Sequence, residues 1–87
     1  MDPKYIVIDD GMNPVEMIIF PSWKNHKDVF MALNEYNNYE LSSAGFIARK
    51  NSYSDGMYCY GRSTTLDKDS NPEVDNNLLS SMFTNLF

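Results

Sequence analysis

The sequence predicts an α+β fold in the order ββαββα, a four-stranded, mainly antiparallel sheet with two helices on one face. Three observations lead there. Four short runs rich in β-branched and aromatic residues are separated by turn-forming clusters. Two other segments carry apolar residues at helical spacing. With 87 residues, 43% of them hydrophobic, the chain can build one core, so it reads as a single domain, 1–87.

Each element has its own local cause. "KYIVIDD" (Lys4–Asp10) is a β-branched run closed by two acids, and "DGMNP" is a turn in which Gly11 supplies a positive φ. "VEMIIFP" (Val15–Pro21) is the second strand, stopped by Pro21, and the two strands make a hairpin. Asn25 caps the first helix, with Asp28 in its first turn and Val29, Phe30, Leu33 and Tyr36 recurring at helical spacing. "YNNYE" ends it. "SSAGFIARK" (Ser42–Lys50) is the third strand, "NSYSDG" a loop, and "MYCYGRSTTL" (Met57–Leu66) the fourth strand. "DKDSNP" is a polar connection. In the last helix Asn71 or Ser70 is the cap, Pro72 fits the first turn, and Glu73 stands three residues after Ser70 as in a capping box. Val74, Leu78, Met82 and Leu86 line one helix face, with Leu79 and Phe83 beside them. Asp75, Asn76, Ser80, Ser81, Thr84 and Asn85 lie away from that line.

Charge and composition narrow the function. A net charge of −5 runs against phosphate binding, so no direct nucleic-acid contact is expected, and an acidic chain is suited to basic protein surfaces. A single cysteine forms no internal disulfide, which fits a reducing compartment. The N-terminus lacks a signal-peptide pattern and no apolar run is long enough to span a membrane, so a cytoplasmic protein with no membrane contact is expected.

Side chains alternate across a strand, and charged residues mark the face turned away from the helices. That face is expected to carry Ile47, Arg49, Tyr58, Tyr60 and Arg62, joined by Glu16, Ile18 and Phe20. A contiguous apolar patch rimmed by Arg and Glu reads as an interface. The expected partner-binding residues are therefore Ile47, Arg49, Tyr58, Tyr60 and Arg62, with Asp67 and Asp69 as a second, acidic region. Arg62 is available to a partner carboxylate or to Glu16 across the sheet.

The candidates for chemistry are weak by comparison. Cys59 and His26 are the only nucleophile and base of their kinds, but Cys59 alternates with tyrosines as core packing, and His26 beside a helix cap is expected to be solvated. Asp67, Asp69 and Asn71 match the first ligands of a calcium loop, but Pro72 replaces its glycine and Leu78 its final glutamate. "YGRS" has too few glycines for a phosphate cradle, and Gly61 marks a bulge or a close backbone approach. No catalytic residue, metal or cofactor is expected.

Three segments in order, "IIFPSWKNHKDV" (Ile18–Val29), "SAGF" (Ser43–Phe46) and "CYGRSTTL…SNPE" (Cys59–Glu73), together resemble a group of short proteins encoded by phages and prophages. The chain departs from that pattern at Asn71, where a basic residue is usual, and in its Asn- and Tyr-rich middle. The resemblance implies a mobile genetic element in a bacterium, and by analogy a stoichiometric inhibitor of host defence in the manner of anti-CRISPR proteins. The expected partner is thus a host protein or ribonucleoprotein in the bacterial cytoplasm. The alternative is a homodimeric structural or accessory domain that pairs through its spare sheet face.

Overall fold

The computed structural model describes residues 1–12, 15–49 and 56–86, with residues 83–86 as backbone only. Four strands, β1 (Lys4–Asp9), β2 (Glu16–Phe20), β3 (Glu40–Arg49) and β4 (Met57–Tyr60), form one antiparallel sheet in the spatial order β2-β1-β3-β4. Helix α1 (His26–Leu33) follows β2, and α2 (Pro72–Leu86) closes the described chain. Between β4 and α2 lies a hairpin of two-residue strands, β5 (Arg62–Ser63) and β6 (Lys68–Asp69). The α+β class and the antiparallel four-stranded sheet are as the sequence predicts; the small hairpin is an addition to the predicted order.

The helices take opposite faces of the sheet, which corrects the expectation of one helical layer. Tyr5, Val7, Met17, Ile47 and Cys59 pack with Leu79 of α2. Ile6, Ile8, Phe20 and Ala44 pack with Val29, Phe30 and Leu33 of α1. Alternate residues of β1 therefore enter two different cores. The cause is in β1 itself, where Tyr5, Ile6, Val7 and Ile8 are all buried. A strand with no polar alternate residue belongs between two covered faces. Each such side chain contributes about 1.5–3 kcal/mol by leaving water, so β1 is the strand on which both cores depend.

Local rules explain the termini. The Asn25 side chain accepts from the Asp28 N–H at 3.1 Å, the N-cap expected for α1. At the start of α2 the returning side chain is Asp75, whose Oδ2 accepts from the Asn71 N–H at 2.8 Å. Asp75 performs the capping task expected of Glu73, two positions further along the helix.

The predicted fourth strand breaks at Gly61, whose φ of +80° turns the chain out of the sheet. A Cβ there would also press on the Phe46 ring. Ser63 then organises the turn that follows: its Oγ accepts from the Leu66 N–H at 3.1 Å and lies 3.2 Å from Thr65 Oγ1. Residues 51–55 of the predicted loop over 51–56, and residues 13–14 of the predicted turn over 10–14, lie outside the described residues.

Candidate functional site

The register between β3 and β4 divides the expected interface set. Ile47 pairs with Cys59 and Arg49 with Met57, while Ala48 pairs with Tyr58 and Phe46 with Tyr60. Paired residues share a face. Ile47 and Arg49 therefore lie on the α2 side and Tyr58 and Tyr60 on the α1 side, so these four do not form one patch. Ile47 is buried in the α2 core and unavailable to a partner, and Phe20 is buried beneath α1. The expectation failed because charge was used to mark an outer face, and this sheet is covered on both sides; Arg49 is simply at the exposed end of β3.

What the fold does bring together is an aromatic row across the α1 face. Phe20 and His26 meet edge to face with centroids 5.4 Å apart, and His26 and Phe46 do the same at 5.5 Å. Phe46 and Tyr60 follow at 5.6 Å, then Tyr60 and Tyr58 at 5.8 Å. Such spacings suit aromatic pairs. The row is buried at Phe20 and His26 and opens at β4, where Tyr60 is 37% exposed and Tyr58 half-buried. The Tyr60 hydroxyl donates to Asp2 Oδ2 at 2.6 Å, and that bond first, then burial, raises its pKa.

His26 is a core residue, contrary to the expectation of a solvated side chain. Its Nε2 lies 2.9 Å from the Gly45 carbonyl oxygen, which can only accept, so Nε2 carries the proton. Burial lowers its pKa, and the Lys4 cation adds in the same direction against the opposing effect of the Gly45 hydrogen bond. Cys59 is buried in the other core, on the opposite face of the sheet, so a Cys59–His26 pair does not exist. Burial first, with the nearby Asp75, pushes the Cys59 thiol up to about 11, far from a reactive thiolate.

Asp75 is the residue that hydrophobic periodicity misplaced. It is fully buried, and it accepts from the Tyr5 hydroxyl, from Ser43 Oγ at 2.7 Å and from the Asn71 N–H. Burial, then the bond to Asp75, holds the Tyr5 hydroxyl far above its ordinary pKa. The buried face of α2 runs through Asp75 and Leu79, whereas Val74 and Met82 are 46% and 37% exposed. No count of apolar spacing could place it there, because the carboxyl is recruited by donors on β1 and β3.

Arg62 turns to its own hairpin. Its guanidinium binds Asp67, and its Nε lies 3.2 Å from Asp69 Oδ1. Glu16 is out of reach, since β2 and β4 are opposite edges of the sheet. Asp67, at φ 50°, occupies the left-handed conformation that Asp tolerates. The would-be calcium ligands Asp67 and Asp69 thus serve an ion cluster, and no group of metal-binding side chains is found among the described residues. These ions are largely exposed, so the cluster shapes the surface more than it stabilises the fold.

Trp23 was not picked out by the sequence. It is 77% exposed in the turn after Pro21, with the Lys24 ammonium 5.3 Å from its ring centroid. Its only signal was a large aromatic in an otherwise polar turn. No helix among the described residues is long and apolar enough to cross a membrane. No known family profile, curated protein or solved structure matches this chain.

Proposed function

We propose that this chain is a small non-enzymatic protein of phage type that binds a bacterial host protein or ribonucleoprotein stoichiometrically and thereby inhibits an immune complex of the CRISPR-Cas kind. The observation that carries the binding half is the open end of the aromatic row, Tyr58 and Tyr60, flanked along the chain by the Arg62–Asp67–Asp69 cluster. Tyrosines beside fixed charges provide apolar contact area and orientation together. The candidate nucleophile and base are each buried in a separate core, which supports a binding role over a catalytic one. The phage context and the class of target rest on the resemblance of the three segments described above.

The test is made in bacteria carrying an active CRISPR-Cas complex that eliminates a targeted plasmid. Expression of the protein should restore plasmid maintenance, and the purified complex should lose activity in proportion to the molar ratio of added protein. Full inhibition by a small substoichiometric amount would contradict a blocking mechanism, and no effect on any such complex would remove the immune target from the proposal.

A further inference from the structure

The two edges of the sheet are finished differently. On β4, the Cys59 N–H points away from β3 and donates to Asn76 Oδ1 of α2 at 2.7 Å, so a helix side chain occupies that edge. On β2, no strand pairs with the outer side among the described residues. The strand has no internal Pro, no Lys and one charged residue, Glu16. Those are the devices by which edge strands ordinarily resist pairing.

The backbone groups offered by β2 follow from the ladder. The Ile47 N–H donates to the Pro3 carbonyl at 2.9 Å, so odd residues of β1 turn their backbone groups to β3 and even residues to β2. Ile6 stands opposite Ile18, and Lys4 and Ile8 opposite Phe20 and Glu16. The N–H and C=O groups of Met17 and Ile19 therefore face outward. The same edge is electrically polar along its length. Glu16 and, on the neighbouring strand, Asp9 mark one end; Lys4, whose Nζ donates to the Lys24 carbonyl at 2.8 Å, and Lys24 mark the other, next to the exposed Trp23.

We propose that β2 is a self-pairing edge: two copies join antiparallel about a two-fold axis at Ile18, merging two four-stranded sheets into one. In that register Met17 of each copy exchanges both backbone hydrogen bonds with Ile19 of the other. Ile18 meets Ile18, and Glu16 lies opposite Phe20. Ile19, 38% exposed in the single chain, gains an apolar neighbour in Met17. The acidic end of each strand meets the basic end of the other, whereas a parallel arrangement would set like charges side by side. This surface is separate from the Tyr58–Tyr60 end of the aromatic row and does not depend on the proposed target.

Hydrogen exchange combined with light scattering tests it on the intact chain, from micromolar to near-millimolar protein. The amides of Met17 and Ile19 should exchange freely when dilute and become protected as the mass doubles, while the Ile18 amide stays protected throughout. Ile19→Pro removes an outward N–H without touching the β1 ladder, and it should abolish the dimer with far-UV circular dichroism unchanged. Glu16→Lys should weaken association about tenfold, and adding Lys24→Glu should restore it. A monomer across the whole range overturns the proposal. So does a dimer whose Met17 and Ile19 amides remain unprotected, because the contact then lies elsewhere.

Discussion

Asp75 accepts hydrogen bonds from three separate parts of the chain: Tyr5 on β1, Ser43 on β3 and the Asn71 backbone at the start of α2. A buried acceptor set of this kind contributes most clearly when removed, since each donor left unpaired costs about 1–3 kcal/mol. Asp75→Ala is expected to lower stability by about 3 kcal/mol or more, read as a drop in the urea midpoint. Asp75→Asn, which keeps one carbonyl acceptor, should lose less. His26 makes a second prediction at this scale. The folded state holds its imidazole neutral below the ordinary value of 6.5, while the unfolded chain takes up a proton there. Its contribution is therefore fully present above pH 6.5 and is lost as the pH falls below it, with a slope of at most about 1.4 kcal/mol per pH unit. In urea melts between pH 7 and pH 5, His26→Gln should flatten this dependence, since its amide can still donate to the Gly45 carbonyl but does not titrate.

The elements differ in how much of their form is local. The β1–β2 strands and the Asn25 cap were legible because each depends on neighbours within a few residues. The burial of β1 on both faces was legible too, in the unbroken Tyr5–Ile8 run, but the single helical layer expected from the ββαββα order overrode it. β5 and β6 were not legible: strands of two residues have no periodicity, and their position depends on Gly61 turning against Phe46 and on Ser63 holding the turn. β3 offers the sharpest test at this scale. A Cβ on Gly45 would collide with the Tyr60 carbonyl oxygen and sit 3.2 Å from both Ser70 Cβ and Tyr5 Cε1. Backbone on one side and a buried ring on the other leave little room to relax, so Gly45→Ala should destabilise by about 3 kcal/mol or more. Thermal unfolding measures it, and a change within about 0.5 kcal/mol would mean that β3 and β4 separate at little cost.

At the scale of the molecule, the acidic balance is spread over unlike tasks. Asp9 and Asp10 accept from the Gly11 and Met12 N–H groups in the first turn, Asp67 and Asp69 hold Arg62, and Asp75 is internal. Composition alone could not separate these roles. The candidate site was legible in part for the same reason. Tyr58 and Tyr60 were placed on one face correctly by alternation, whereas Ile47 and Arg49 required the pairing register, which the strand sequences do not specify when both faces are apolar. The proposed function rests on binding through the Tyr58–Tyr60 end of the aromatic row. Calorimetric titration against an immune complex of the proposed kind, using wild type and the Tyr58→Ala/Tyr60→Ala variant side by side, is the test. Wild type is expected to saturate at a fixed molar ratio, and the folded variant to bind more weakly by about thirtyfold or more. Equal affinity for the two would contradict it.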